Sequence, residues 1–410
     1  MNSLASLAWR YLWARPLVSA LNLLLLSLGL AAISFVLLVS EQIEGGVRRD
    51  LAGIDLVVGA KGSPMQIMLA GVFHLDVPTG NIPLATLDEL RAQPLVARAV
   101  PISLGDSLRG FRIVGTTPDY LELYQARLAA GRLWQQPLQA VLGAEAARRT
   151  GLKLGDRFAG SHGLGEQGHE HGEHRYTVVG LLAETGGVLD RLVLTDLASV
   201  WQVHEDMHAV DADDRAALEA EREITMALLS YRSPLAAIAL PRWVNAQDGL
   251  QAAAPALETA RLLRMVGVGT EVLRGFGAVL LLAAALSVFV ALLHAVRERQ
   301  GDLAMLRMLG APAWRVAALV SLEGLWLALL ASVLGLALGH GLTALLGWVL
   351  ASQQSLRISG SGWSAWEALV PALALLLALA SAAWPAWRAY KLDVTELLQA
   401  LIEPSNKGMR

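Results

Sequence analysis

Histidine and glutamate are concentrated in one glycine-rich stretch of the sequence. Residues 162–174 read HGLGEQGHEHGEH and hold four of the nine histidines in 410 residues, namely His162, His169, His171 and His174. Neutral imidazole binds Zn²⁺, Cu²⁺ and Ni²⁺, and carboxylates can complete such a ligand set. The glycines give the backbone enough freedom to wrap around an ion. The stretch predicts a divalent metal site, with Zn²⁺ as the first candidate because flexible His/Glu loops without sulfur commonly bind it.

A second histidine pair lies about thirty residues further on. His204-Glu205-x-x-His208 formally matches H-E-x-x-H, whose two imidazoles share one face of a helix and can bind one zinc ion. The same pattern marks zinc proteases, but the sequence offers no third ligand and no other sign of a peptidase cleft. We therefore predict no catalytic residue and a chain that is not an enzyme. Three interpretations of the histidines stay open: zinc binding, a solvated loop without function, and hydrolysis.

The rest of the composition indicates a membrane protein with a large soluble part. Hydrophobic residues make up 54% of the chain and charged residues 17%. A bilayer is crossed by about 20 apolar residues in a helix, and four segments meet that length. They lie near 17–39, 272–294, 316–345 and 366–386. The first has no signal-peptide cleavage pattern and predicts a retained anchor.

Basic residues beside these spans predict the orientation. Arginine and lysine are enriched before the first span, between the second and third, and after the fourth, and such segments stay in the cytoplasm. The chain is predicted to begin with an N-terminal segment and span 1 (1–40), followed by an outer domain (41–270) with a His-rich loop (161–175) and by span 2 (271–296). A cytoplasmic coupling segment (297–315), spans 3 and 4 (316–386) and a cytoplasmic tail (387–410) complete the predicted order.

The outer segment is long enough for a domain with its own core. Short apolar runs such as IDLVVG (54–59) and YTVVGLL (176–182) predict strands, and LATLDELRAQ (84–93) predicts a helix. The expected fold class is a membrane domain of four transmembrane helices, with a mixed α/β periplasmic domain inserted between helices 1 and 2.

Three stretches give the chain a family resemblance. RERQGDLAMLRMLGAPAWRVAALVSLEGLWLALLASVLGLALG (297–339) resembles the signature of FtsX/MacB-type ABC permeases, related to LolC and LolE. GFRIVGTTPDYLELYQARLAAGRLW (110–134) and AVLGAEAARRTGLKLGDRF (140–158) are similar to that family's periplasmic core domain. The histidine-rich stretch has no counterpart in the family pattern.

The resemblance implies a permease that docks on a separate cytoplasmic ATPase and transmits ATP-driven movement to its outer domain, a mechanism called mechanotransmission. The segment from Asp302 to Arg315 would be the coupling element. Leu303, Leu306 and Leu309 recur at helical spacing, so one face could enter a groove of the ATPase while Arg307 stays free to pair. An interfacial helix lying on lipid is the alternative interpretation.

Three residues of the third span are further candidates. Glu323 is a carboxylate within an apolar helix and belongs to the "LE" pair that resembles the family, which suggests a coupling or capping role. Gly335 and Gly339 form a G-x-x-x-G pattern, which lets two helices approach closely and could serve as a dimer face.

The expected partners follow from the resemblance. They are a cytoplasmic ABC ATPase dimer, a second permease copy as a homodimer, membrane lipid, and a periplasmic adaptor, lipoprotein or metal-binding protein, with no nucleic acid. The expected location is the inner membrane. The alternative function is a signalling subunit whose outer domain activates a periplasmic partner such as a cell-wall hydrolase. The only cofactor expected is Zn²⁺ in the periplasmic domain.

Overall fold

The computed structural model of the protein forms two compact units. The membrane unit consists of Met1–Ile43 with Val266–Arg410, and the outer unit is Glu44–Met265. The structure describes residues 4–51, 53–161, 170–208, 221–351 and 358–391.

Long apolar helices build the membrane unit. Four of them are long and apolar enough to cross a bilayer, which confirms the four predicted spans. A short amphipathic helix precedes them and another lies between the second and third. In chain order the helices are α1 (Leu4–Leu12), α2 (Pro16–Asp50), α9 (Pro255–Glu298), α10 (Gln300–Met308), α11 (Ala313–Ala351) and α12 (Leu369–Tyr390), the last preceded by a 3-10 turn at Ala365–Ala368.

Small side chains let these helices pack closely. Ala374, Ala378 and Ala382 recur every fourth residue of α12 and are at most 4% exposed. A helix brings residues four apart onto one face. Ala374 and Ala378 pack in one buried cluster with Leu26 and Leu30 of α2, and α12 packs along α11. Small residues favour close helix approach in membranes because lipid supplies no hydrophobic force between helices.

The outer unit is built on one large twisted sheet. Ten strands of the described chain form it, in the order β12-β1-β11-β3-β4-β9-β6-β8-β5, with β7 pairing to β3 and β8. The pairs β4 with β9 and β6 with β8 are parallel and the other pairs are antiparallel. The sheet strands are β1 (Leu56–Ala60), β3 (Val96–Leu108), β4 (Phe111–Thr116), β5 (Leu128–Gly131), β6 (Gln139–Leu142), β7 (Arg157–Ser161), β8 (Glu170–Leu182), β9 (Leu192–Asp196), β11 (Met226–Tyr231) and β12 (Leu250–Ala253).

Helices and a small ribbon cover this sheet, so the predicted mixed α/β class is confirmed. Alternate strand residues enter two separate cores: Val57 and Leu228 lie in one, while Leu56 and Leu229 lie in the other. The alternation follows from the two-residue period of a strand. The covering elements are α3 (Pro64–Gly71), α4 (Ala85–Ala92), α5 (Asp119–Leu123), α6 (Ala144–Thr150), α7 (Leu197–His208), α8 (Ala236–Asn245), a 3-10 turn at Val188–Arg191, and the ribbon of β2 (Ile82–Pro83) and β10 (Glu223–Ile224).

Two glycines in the motifs of this unit serve its backbone geometry. Gly151 ends α6 with a φ of 73°, the left-handed conformation that glycine adopts without strain. Gly131 has a φ of 79°, and a side chain there would lie 2.9 Å from the Cα of Gly180 on β8. Both glycines therefore serve the backbone geometry of the fold.

Candidate functional site

The helix predicted to couple to an ATPase is α10, and its leucines do not share one open face. Leu303 is 2% exposed and packs with Val316 and Leu319 of α11. Leu306 is partly buried against the same core, whereas Leu309 is 80% exposed. The expected three-leucine face is therefore corrected at Leu303, because α11 folds back over that side of the helix.

A different set of side chains forms the open face. Met305 and Met308 are 57% and 54% exposed, and Trp314 at the start of α11 is 58% exposed. Together with Leu309 they form what we call the methionine patch. Positions 305, 308 and 309 have the i, i+3, i+4 spacing of one helix face. The sequence also contains this spacing, but the prediction assigned the ATPase-facing surface to the leucines.

The two charged candidates of α10 differ in their surroundings. Asp302 lies exposed in the first turn of the helix, where a negative charge suits the helix dipole. Arg307 reaches back towards the end of α12, with its Nη1 3.5 Å from the carbonyl oxygen of Tyr390. Arg307 therefore contacts the chain's own last helix and is only partly exposed.

Glu323 lies in a buried ion pair. Its Oε1 accepts from Nη1 of Arg299 at 3.0 Å, and the Glu323 side chain is 8% exposed. Nη2 of Arg299 donates to the carbonyl oxygen of Tyr11 at 2.9 Å, and the guanidinium lies 4.3 Å from the centre of the Tyr11 ring. The pair thus joins three parts of the chain: α1, the junction of α9 with α10, and α11. Sequence reasoning missed Arg299 and Tyr11, although a carboxylate in an apolar span needs a cationic partner.

The G-x-x-x-G pattern is buried within the chain. A Cβ at Gly335 would lie 2.7 Å from the Cβ of Leu30, and one at Gly339 would lie 2.6 Å from Oγ of Ser34. Both glycines therefore pack on α2 of the same chain. The proposed dimer face at these two positions is corrected accordingly, because the close approach that glycine permits is already used by α2.

The histidine candidates are only partly within reach of the structure. His162 and His169 lie outside the described residues. His171 falls on β8, and His204 and His208 fall on α7, and only their backbone is described. His174, also on β8, is partly buried. Within the described part of the chain no three metal-ligating side chains cluster, so the metal site stays a prediction.

The two histidine-bearing elements do share a core. Val203 of α7 is 2% exposed and packs in the same cluster as Phe158 of β7 and Tyr176 of β8. The rings of Phe158 and Tyr176 stack with their centres 5.3 Å apart. This cluster places the base of the β7–β8 hairpin and the helix of the H-E-x-x-H pattern against one another.

A further histidine, missed from the sequence, is buried in the outer unit. His74 is 8% exposed, adopts a φ of 54°, and has its Nε2 3.1 Å from Oη of Tyr120. Burial, together with the positive charges of Arg112 and Arg191, lowers the pKa of His74 to about 3. The ring is therefore neutral at ordinary pH. In the sequence His74 is a single histidine between Phe73 and Leu75, and no motif marks it as a functional residue.

Comparison with known proteins identifies the family. A model described as "FtsX-like permease C-terminal" matches residues 274–394. A model described as "MacB-like periplasmic core domain" matches residues 19–227, which is half of the chain. The chain belongs to the MacB/FtsX-like ABC transporter permeases. No curated protein matches it in sequence.

Two solved structures show a distant likeness to the permease. One is the periplasmic region of MacB from Actinobacillus actinomycetemcomitans, with 11% identity and a TM-score of 0.35, covering 52% of this chain and 95% of that one. The other is the extracellular domain of the noncanonic ABC-type transporter YknZ from Gram-positive bacteria, with 12% identity and a TM-score of 0.29, covering 48% and 98%. The assignment rests on the two family models.

Family membership gives the two units their general roles. Permeases of this family work with a cytoplasmic ABC ATPase, and the match to the periplasmic core domain covers the outer unit from its start to residue 227. The permease is thus a membrane protein with a periplasmic α/β domain. The match to the FtsX-like model includes Arg299, Glu323 and the methionine patch.

Proposed function

We propose that this permease couples ATP hydrolysis by a separate cytoplasmic ATPase to movement of its periplasmic domain, in the inner membrane and as a dimer with a second copy. One observation carries the proposal: α2 and α9 each contribute residues to both compact units. An α-helix rises about 1.5 Å per residue and keeps its hydrogen bonds along its length. Two such helices are therefore suited to carry a displacement between the units.

The methionine patch is the surface we assign to the ATPase. Its four side chains are apolar, and all are more than half exposed on the hairpin between α10 and α11. Methionine is unbranched and adapts its shape to a partner, and an apolar helix face is a common way to fill a groove. Because Leu303 is held in the chain's own core, the patch rather than the leucine row would make the contact.

Paired substitutions test this assignment. Met308→Asp with Leu309→Asp places two charges in the patch, and we expect at least a tenfold loss of ATPase co-purification, or about 1.4 kcal/mol. Membrane insertion should not change, because both residues are exposed. Leu154→Asp is the matched control, since Leu154 is a 43% exposed leucine of the outer unit.

The two variants separate coupling from general damage. The control should retain ATPase in the amount of the unmodified permease. If the patch variant also retains it, the assigned surface is refuted. A patch variant that binds ATPase normally but no longer stimulates hydrolysis would place coupling, rather than docking, at this helix.

We further propose that Zn²⁺ binds the periplasmic domain through the histidine-rich loop and the H-E-x-x-H helix. The shared core of Val203, Phe158 and Tyr176 supports this, because it brings the two elements together. His204 and His208 would offer two ligands from one helix face, and the loop would supply the rest of a four-coordinate site. The imidazoles must be neutral to bind, so affinity should fall as pH drops below about 6.5.

Calorimetric titration of the full chain with Zn²⁺ tests the shared site. We expect one site tighter than about 100 μM, on the order of 5.5 kcal/mol, near neutral pH. His204→Ala with His208→Ala should abolish it, and so should replacement of the four loop histidines by serine. His294→Ala, an exposed histidine of the membrane unit, is the control. Binding lost only with the loop histidines would refute the shared site.

Signalling to a periplasmic enzyme is the alternative function, and the identity of the partner separates it from transport. Purification of the permease with its native partners should yield a periplasmic adaptor, lipoprotein or metal-binding protein if cargo is moved. A cell-wall hydrolase that is active only in the complex would favour signalling instead. Both functions use the same ATPase surface.

A further inference from the structure

A group of arginines lies on the open face of the sheet where β7 and β8 pair. Phe158 and Tyr176 point into a core of the outer unit. Their neighbours along the strands, Arg157 and Arg175, therefore point to the opposite face, and both are exposed. Arg157 lies opposite Thr177, two residues along β8 from Arg175. The two arginines are thus diagonal neighbours on adjacent strands, within reach of each other's long side chains.

Arg132, which directly follows β5, belongs to the same group. Its Nη1 donates to Oε1 of Gln139 at 3.1 Å. Gln139 is the partner of Thr177 on β6, just as Arg157 is its partner on β7. Thr177 therefore lies between the side chain that holds Arg132 and the strand position that carries Arg157. We call Arg132, Arg157 and Arg175 the arginine cluster.

The arginine cluster has no counter-charge in the described part of the chain. None of its three guanidinium groups forms an ion pair there, and the two acceptors of Arg132, Gln139 and the carbonyl oxygen of Leu133, are neutral. The carboxylate next to the cluster in sequence, Asp156, accepts instead from the backbone N–H of Lys153 at 2.8 Å. Like charges side by side on a sheet are destabilising. The fold therefore carries a repulsion that an anionic partner would relieve.

The charge of the cluster is opposite to that of the domain around it. Residues 41–270 contain more acidic than basic residues. Charges in water at physiological ionic strength are screened beyond about 8 Å, so a partner with a small contact area meets the arginines alone. An anionic bilayer would extend over the wider acidic surface and be repelled by it. The charge distribution therefore favours an acidic patch on a protein over a membrane.

We propose that the arginine cluster is the docking surface for an acidic patch on a soluble periplasmic protein. A guanidinium group can hold a carboxylate through two parallel hydrogen bonds, and arginine is enriched among the residues that dominate binding at interfaces. An open strand face suits a protein better than a small anion, because a protein surface covers all three side chains at once and excludes water from them. The proposal uses the periplasmic placement of the outer unit and is independent of the ATPase coupling proposed above.

Binding of an acidic peptide tests the surface in the full chain. The probe is fluorescein-labelled hexaglutamate, and the permease is held in nanodiscs of zwitterionic phosphatidylcholine. Arg132→Glu with Arg157→Glu and Arg175→Glu should raise the Kd by about tenfold or more at low ionic strength, because three attractive charges become repulsive. Salt at about 0.5 M should remove most of that difference.

A second triple variant is the matched control. Lys61→Glu with Arg232→Glu and Arg242→Glu changes the net charge of the same unit equally. These exposed cations lie on or beside β1, β11 and α8, and β1 and β11 are near the other end of the sheet from β8. The Kd of the control should stay within about threefold of the wild type, because screening limits the reach of distant charges. Equal weakening by both variants would refute the arginine cluster as the surface.

Two further probes separate a protein partner from other anions. Inorganic phosphate and phosphatidylglycerol vesicles should bind the wild type more weakly than hexaglutamate does. Tighter binding of phosphate that is lost in the cluster variant would replace the protein with a small anion. Tighter binding of the vesicles, lost in the same variant, would replace it with a membrane surface. Either result overturns the proposal.

Photocrosslinking from the centre of the cluster identifies the native partner. Benzoylphenylalanine at position 177 should capture, in living cells, a soluble protein at a segment that contains several Asp or Glu residues. Changing those residues to Arg should abolish capture by the wild type and restore it to the Arg→Glu cluster variant. Capture of no soluble protein, or of a segment without acidic residues, overturns the proposal. The cluster variant should co-purify with as much ATPase as the wild type, which keeps this test separate from that of the methionine patch.

Discussion

Acidification should destabilise the outer unit through His74. Burial holds the pKa of this imidazole at about 3, against about 6.5 in an unfolded chain. Between these values the unfolded state binds a proton that the folded state does not, so stability falls as pH falls. Integrated from pH 7 to pH 5, the contribution of His74 is a loss of about 2 kcal/mol.

The assay is denaturant unfolding of residues 44–265 at both pH values, comparing wild type with His74→Gln. Other groups titrate over the same range, so the informative quantity is the difference between the two proteins. The wild type should lose about 2 kcal/mol more than the variant on acidification. The variant will be less stable at pH 7, because it loses the favourable fit at the positive φ of this residue.

Tyr120→Phe provides the matched control. It removes the hydroxyl group that lies 3.1 Å from Nε2 of His74 and leaves the imidazole in place. Overall stability should fall, while the loss on acidification should stay within about 0.5 kcal/mol of the wild type. Equal pH dependence of wild type and His74→Gln would refute the reasoning, since it would mean that His74 titrates alike in the folded and unfolded states.

Other consequences of the packing can be tested in the membrane unit. Gly339→Leu should prevent folding, seen as loss of monodisperse protein in detergent, because its side chain would overlap Ser34, whereas Gly341→Leu has open space and should be tolerated. Arg299→Met should lower the free energy of unfolding by about 3–5 kcal/mol, because Glu323 stays buried without its ion-pair partner. Adding Glu323→Met should restore most of that free energy. A cysteine at Ala311 should resist an impermeant thiol reagent in intact cells, and labelling there would contradict the assigned orientation.

The broad architecture could be predicted because its signals are local. A run of apolar residues longer than a bilayer needs requires no knowledge of its neighbours. The strands β1 and β8 were likewise marked by their apolar runs, and the structure places them near the predicted positions. The full lengths of the helices were harder to predict. Helix α2 continues to Asp50 and α9 begins at Pro255, where the sequence is no longer apolar enough to indicate a span.

The packing of faces could not be predicted, since periodicity shows which residues share a face but not what covers it. Leu303 and Leu309 both fit one helical pattern, yet one is buried and the other is 80% exposed. Likewise, Gly335 and Gly339 indicated a close helix contact, and only the structure identifies α2 as the neighbour. The contact between Nε2 of His340 on α11 and Oε1 of Glu367, in the 3-10 turn before α12, depends on the same long-range packing.

The positions of the two buried pairs limit how the membrane unit can move. Glu323 and His340 lie on the same helix, so α11 is held by a polar side-chain contact at each of two points, to Arg299 and to Glu367, about 25 Å apart at 1.5 Å per residue. Sliding α11 by one turn would shift it by about 5.4 Å and separate both pairs at once. In a low-dielectric interior the separation of Arg299 from Glu323 alone leaves a buried charge, which costs several kcal/mol. Displacement driven from the methionine patch should therefore move α11 together with α2 and α12, rather than slide one helix past the others.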